Sequence, residues 1–234
     1  MEQLRQEIAD FFSHIEFEDT THTYRVNNKV VHSVSSVIAK YKKPFNKTYW
    51  LPIKAKQLNL TPQQLELQWD KKRDDACDLG HHWHLYIEQR LQNLPITVPV
   101  VPLVDEFLAT DNSETLFCEL VMGNPFLTGT LDNLIMRDGK LIIRDWKTNG
   151  KFRKESQYKL LPPFQNVPAT EYYIYTLQQN LYRRLLMMVP SVKEVDLEIV
   201  WFDREDDNWH TYNLPIKNDW CNYIIRQLTE SYDN

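Results

Sequence analysis

The sequence predicts one mixed α/β domain, and three observations lead there. Apolar-rich runs of strand length cluster in the middle of the chain, and helical patterns lie on both sides of them. No internal repeat, low-complexity tract or obvious linker divides the 234 residues. That length can bury a substantial core. A hydrophobic fraction of 42% and a charged fraction of 25% are ordinary for a globular chain. No apolar run approaches the length of a membrane span.

The elements follow in order. Residues 2–13 read as a helix, then residues 15–18 and 24–34 as a β-hairpin turning near Asn27-Asn28. Residues 33–41 look helical. Thr61-Pro62 is a strong helix start, a capping hydroxyl followed by proline at the first helical position. The helical pattern runs from there to about residue 93, with an interruption expected near Gly80. A short helix over 103–110 precedes strands near 115–121, 127–136 and 140–148. A long helix is expected over 170–188, a hairpin over 195–202 and 208–214, and a closing helix over 218–231. The proline-marked stretches 94–102 and 160–168 are of loop length. Residues 1 to about 45 would lead into a core whose central mixed sheet is flanked by the helices of residues 80–93 and 170–188.

Charge constrains function only loosely. A net charge of −5 is awkward for a nucleic-acid protein, which usually shows a basic balance. Basic residues are nevertheless locally dense: Lys40, Lys42, Lys43 and Lys47, then Lys71, Lys72 and Arg73, then Lys147, Lys151, Arg153, Lys154 and Lys159. Each cluster alone reads most simply as a solvated face. If the substrate is DNA, Lys43, Arg73, Lys151, Arg153 and Lys154 are the candidate phosphate contacts. Cys77, Cys118 and Cys221 are scattered and match neither a disulfide framework nor a zinc or iron–sulfur spacing. The N-terminal MEQLRQEIADFF has the character of neither a signal peptide nor a transit peptide. A reducing, cytoplasmic setting is the expectation.

The most informative segment runs from Phe126 to Thr148. Asp138-Gly139 between two apolar-rich runs signals a two-residue hairpin loop, because both turn positions need positive φ. Arg137 then pairs with Lys140, and counting back sets Asp132 directly across from Asp145. Alternation turns Asp145 and Lys147 to one face and Trp146 to the other. Directly opposed side chains sit roughly 4.5–5.5 Å apart at Cβ, where like charges destabilise. Two facing carboxylates call for something positive between them, and Mg²⁺ or Mn²⁺ held through oxygen is the natural candidate. Lys147 beside them could orient a water or offset charge on a phosphate. Asp-x-Lys alone is common on solvated strands; it is the cross-strand Asp132 that shifts the balance.

Gly129-x-x-Asp132, twelve residues, then Asp145-Trp-Lys147 resembles the central motif of the PD-(D/E)XK nucleases, with Leu131 where the family name has proline. Three further segments resemble the RecB-like, phage-type exonuclease branch. In Gly80-His-His-Trp-His84-Leu-Tyr-Ile-Glu88 the resemblance makes His84 a metal ligand and Glu88 a supporting acid, four residues apart on one helix face. A helical histidine is more often structural, and His81 or His82 could take the role instead. Gln178-Gln-Asn-Leu-Tyr182 is similar to the Gln-x-x-x-Tyr motif that relatives use near DNA or the catalytic lysine. Its plain alternative is a polar patch on an amphipathic helix. His32-Ser33-Val-Ser35-Ser36 is similar to the Ser-Val-Thr opening of such enzymes, where hydroxyl and amide groups can meet a phosphate. N-capping by Ser33 explains that segment nearly as well.

The resemblance implies a restriction-endonuclease-like core and hydrolysis of DNA phosphodiesters to 5′-phosphate and 3′-hydroxyl ends. It favours digestion from DNA ends, in recombination, repair or phage DNA metabolism inside a bacterial or phage-infected cell, with a recombination protein as a possible partner. Asp132, Asp145, His84 and the Trp146 carbonyl would ligate Mg²⁺ or Mn²⁺, with Glu119 a further acid of unfixed register. The cysteines that some relatives use for an iron–sulfur cluster are missing, so none is expected. Two rival readings are a catalytically inactive nucleic-acid-binding or scaffold protein on the same fold, and a metal-dependent hydrolase of another phosphoester.

Overall fold

The computed structural model describes residues 1–232. Five strands form the central sheet in the order β4 (Glu114–Gly123), β5 (Thr128–Arg137), β6 (Lys140–Lys147), β7 (Asp196–Asp203) and β8 (Asn208–Asn213). All neighbours are antiparallel except β6 and β7. A parallel pair needs a crossover, and here it contains α6 (Glu171–Leu186). Asp138 and Gly139 take positive φ and set the β5–β6 register, pairing Arg137 with Lys140 and Asn133 with Arg144.

The sheet is covered on both faces, and its strands alternate accordingly. Leu197, Ile199 and Trp201 of β7 enter the larger core. They meet α1 (Glu2–Phe12), α2 (Val34–Ala39), α6 and α7 (Asn218–Tyr232) through Ile8, Phe12, Val37, Leu177, Leu181 and Ile224. Val200 and Phe202 enter a second core with Trp146. That core is closed by Trp83, Tyr86 and Ile87 of α4 (Pro62–Leu91) and by Val104 of α5 (Pro102–Thr110). Because α1 and α2 pack into the larger core, the N-terminal segment is part of the domain itself.

Four local expectations differ from what is found. Residues 15–31 form a small three-stranded sheet, β1 (Ile15–Glu18), β2 (Thr23–Val26) and β3 (Lys29–Val31). The Asn27-Asn28 turn joins only its last two strands, and a second turn ending at His22 (φ 48°) joins the first two. The Ser33 helix is short, ending at Ala39. Helix α4 is unbroken at Gly80, since flanking Trp83, Tyr86 and Ile87 anchor it over glycine's cost of about 1 kcal/mol. Helix α3 (Lys47–Gln57) was hidden by its internal Pro52 and by apolar residues that do not gather on one face. No helix among the described residues is long and apolar enough to cross a membrane.

Candidate active site

The site forms where β4, β5 and β6 meet α4 and α6. Continuing the β5–β6 register places Asp132 beside Asp145, as the turn alone predicts. The Trp146 amide donates to Asp132 Oδ2 at 3.0 Å, fixing that carboxylate. On the other side, the β4–β5 register carries Glu119 to the position opposite Asp132. Glu119 has φ 49°, a left-handed conformation unusual for a non-glycine residue in mid-strand.

Helix α4 supplies the next wall. Gly80, His84 and Glu88 recur every four residues and share a face. His84 Nε2 lies 3.0 Å from the Trp146 carbonyl, and Nδ1 lies 3.5 Å from Asp132 Oδ2. If Nε2 carries the proton, it donates to the carbonyl and leaves the Nδ1 lone pair toward the carboxylate. The Trp146 carbonyl, expected as a ligand, is therefore the anchor of the imidazole in this structure. His82 is turned away, 2.7 Å from the Pro99 carbonyl, and His81 is exposed, so His84 is the histidine at the site. Glu88 accepts from Gln92 and adds negative charge near Glu119.

His84, Glu119 and Asp132 offer ligand atoms all within 4.8 Å of one another. Asp145 is buried beside them. Its Oδ2 pairs with the Lys147 ammonium, Nζ lying 2.5 Å away. Lys147 Nζ is also 3.9 Å from Asp132 Oδ2. The positive group between the facing carboxylates in this structure is thus Lys147. Against it stand four carboxylates, those of Glu88, Glu119, Asp132 and Asp145.

The protonation tendencies follow from that imbalance. Burial and then the Asp132 charge push Asp145 up to about 7, and the opposing pull of Lys147 is insufficient. Loss of water and then the charges of Asp132, Glu88 and Asp145 push Glu119 up to about 8. Glu119 is exposed as a residue, so for it the neighbouring charges are the firmer cause. Burial works against the charge on Lys147, but Asp145 and Asp132 outweigh it and raise its pKa.

Helix α6 closes the site from the larger core. Tyr182 is buried, and Gln178 Nε2 donates to its hydroxyl at 3.4 Å. A Cβ at Gly129 would fall 2.7 Å from Tyr182 Cε1, so the glycine three residues before Asp132 makes room for that ring. Two tyrosines escaped the sequence reading. Tyr175 lies under Lys147, Nζ 5.1 Å from the ring centroid, and donates to Asn149 Oδ1. Tyr24 of β2 shares a 2.9 Å hydrogen bond with Thr130. No motif marks either residue; a Tyr four residues after Glu171 on a core helix reads as packing.

The remaining candidates lie around this centre. Ser33 caps α2, accepting from the Ser36 amide, and Ser36 Oγ donates to the Ser33 carbonyl, so both hydroxyls serve the cap; Ser35 is exposed. The backbone nevertheless bridges Ser33 to Thr128, two residues before Thr130. Arg153 pairs with Glu171, and Lys154 lies over the Tyr172 and Tyr212 rings. Lys151 and Lys43 are exposed. Arg73 is paired with Asp70 and Asp74 on its own helix, which weakens its candidacy as a phosphate contact.

No family model matches the chain, and no curated protein matches it. A solved structure, "Crystal structure of SSO0001", aligns over 97% of this chain and 83% of its own at 13% identity, with a TM-score of 0.41. A likeness that distant carries no part of the argument below.

Proposed function

We propose that this chain is a divalent-metal-dependent deoxyribonuclease of the PD-(D/E)XK type, acting preferentially at DNA ends. The observation that carries the reading is the convergence of Asp132, Asp145, Glu119 and His84 beside Lys147, with carboxylates outnumbering the one ammonium among them. An excess of carboxylates with one imidazole suits a hard cation such as Mg²⁺ or Mn²⁺. Asp132, Glu119 and His84 would hold it, and Asp145 would add a carboxylate oxygen. When bound, such a cation supplies Lewis acidity toward a phosphate oxygen and lowers the pKa of a water.

The chain's own groups do the rest. Asp145 fixes the Lys147 ammonium, whose N–H groups then orient the attacking water and offset charge gathering on the phosphate. The Trp146 amide keeps Asp132 in place, and the Trp146 carbonyl sets the ring of His84. Tyr182 and Gln178 line the α6 side, where they brace the site and the substrate strand. Preference for ends over interiors rests on the motif resemblance alone.

The test is incubation with Mn²⁺ and end-labelled DNA in linear and covalently closed circular forms. Metal-dependent loss of the linear form, 5′-phosphorylated products and survival of the circle are expected. Rapid nicking of the circle would make the protein an endonuclease. Metal-independent binding with no cleavage of either form would leave an inactive DNA-binding protein.

A further inference from the structure

Between Asp19 and Glu66 the chain has no acidic residue, yet it carries Arg25, Lys29, Lys40, Lys42, Lys43, Lys47, Lys54 and Lys56, in a protein of net charge −5. Six of these cations fall within residues 40–57, together with Phe45, Tyr49 and Trp50. All three aromatics remain substantially exposed, at 65%, 57% and 37%. The segment is α3 and the loop before it, capped by Asn46, whose side chain accepts from the Tyr49 amide. Helix α3 packs on the start of α4: Lys47 meets Glu66 at 2.7 Å, and Phe45 meets the edge of Trp69. Among the described residues, none between Leu65 and Trp83 of α4 is buried. Helix α3 and the first half of α4 therefore form an arm standing off the core. On α3, Trp50 and Lys54 are four residues apart, and Tyr49 and Lys56 seven, so each exposed aromatic has a lysine on its own face.

We propose that this arm binds single-stranded DNA, its lysines meeting phosphates and its aromatics stacking on bases, and that it feeds the strand toward the Asp132–Asp145 centre. The substrate half of this inference rests on the nuclease reading. Lysines interleaved with exposed rings fit a backbone with unstacked bases, since every unstacked base offers an open π-face and bases inside a duplex have theirs covered. A membrane surface fits poorly, because the apolar residues of α3 do not gather on one face. Lys71 and Arg73 in the middle of α4 are engaged by Asp75, Asp70 and Asp74, as Lys47 of α3 is by Glu66 and Asp70, so the phosphate contacts fall to Lys42, Lys43, Lys54 and Lys56. From Asp70, beside α3, to His84 the helix rises about 21 Å, about six nucleotide steps at 3.4 Å each.

The experiment measures anisotropy of fluorescein-labelled oligothymidylates of 4 and 20 nucleotides and of a blunt duplex. It uses the full chain carrying Asp145→Asn, in EDTA. One arm variant adds Lys42→Gln, Lys43→Gln, Lys54→Gln and Lys56→Gln; another adds Tyr49→Ala and Trp50→Ala. Circular dichroism checks that each retains its helix. The lysine variant should bind the 20-mer at least tenfold more weakly, and its dependence of log K on log salt should fall by about three, near 0.7 per lost phosphate contact. The aromatic variant should lose at least tenfold with its salt slope unchanged. The 4-mer, too short to reach both arm and centre, should gain little from the arm. Parental binding of the 20-mer by both variants would overturn the inference. So would tighter binding of blunt duplex with no effect of the aromatic changes, or displacement of the 20-mer by polyglutamate as readily as by unlabelled DNA. Arm-dependent binding without Mn²⁺-dependent cleavage by the parent would sink the nuclease reading and keep the arm; cleavage with arm-independent binding would do the reverse.

Discussion

Arg144 and Asp145 are neighbours on β6, and both side chains are 1% exposed, yet they live in opposite electrostatic circumstances. Arg144 turns toward the second core, where Nε donates to Glu198 at 2.7 Å and the other guanidinium nitrogens to Asp111. Arg137 completes the group on the second Glu198 oxygen. Two cations meet two anions, the donors are matched bidentately, and the Phe107 and Trp146 rings lie against the guanidinium. Asp145 turns the other way, into a cluster where the carboxylates of Glu88, Glu119, Asp132 and Asp145 outnumber Lys147. Burying charge is tolerable when it is fully paired. A strand that closes one buried cluster completely and leaves its neighbour incomplete marks the second as the place built for something added.

Breaking each cluster should therefore give opposite results. Arg144→Met strands Glu198 and Asp111 without their main partner, and a loss of about 3–5 kcal/mol is expected in denaturant melts. Asp145→Asn removes a charge from a site with too many, and in EDTA it should cost little or stabilise. Equal, large losses from both would erase the contrast.

Metal sharpens it further. A cation that binds only the folded state adds RT ln(1 + [L]/Kd), about 2.7 kcal/mol at a hundredfold excess over Kd. Asp132→Asn retains an acceptor for the Trp146 amide, so in EDTA it should melt no lower than the parent. With Mg²⁺ or Mn²⁺ it should gain far less. A variant that melts well below the parent in EDTA but gains the same increment would make Asp132 structural.

The two clusters should also answer pH with opposite signs. Asp145 near 7 and Glu119 near 8 bind protons in the folded chain that the unfolded chain releases at ordinary carboxylate pH. Metal-free stability should therefore rise as pH falls from about 8 toward 5, and level off below about 4, where both states are protonated. Asp111 runs the other way. Burial opposes its charge, but Arg144 and Ser113 hold its pKa below the usual value. Its contribution is present above about pH 4 and disappears as pH falls through its depressed folded value. A thermal-melt series in EDTA reads both, and Glu119→Gln should flatten the rise. A smaller effect separates the histidines: His84→Ala should raise the metal concentration needed for half-maximal stabilisation, and His81→Ala should not. Matching shifts from both would remove His84 from the site.

Much of this centre was legible because short-range rules fix it. The Asp138-Gly139 turn dictates the β5–β6 register, and helical spacing puts Gly80, His84 and Glu88 on one face. Glu119 could not be placed, since its position depends on a bulge between Thr115 and Phe117 that no local signal announces. Tyr24 and Tyr175 come from distant elements and look like ordinary core aromatics. Helix α3 was missed because Pro52 interrupts its pattern, although Lys47 at its start had stood out with Lys40, Lys42 and Lys43. The Gly80 break failed for the converse reason, with the packing of Trp83, Tyr86 and Ile87 just beyond it overriding a local preference.

The account is tested most directly by Asp145→Asn, compared with the parent for cleavage of linear duplex DNA in Mn²⁺ and for melting in EDTA on the same preparation. A folded variant, melting at or above the parent, with cleavage abolished is the predicted result. Cleavage at the parental rate by that folded variant would contradict it.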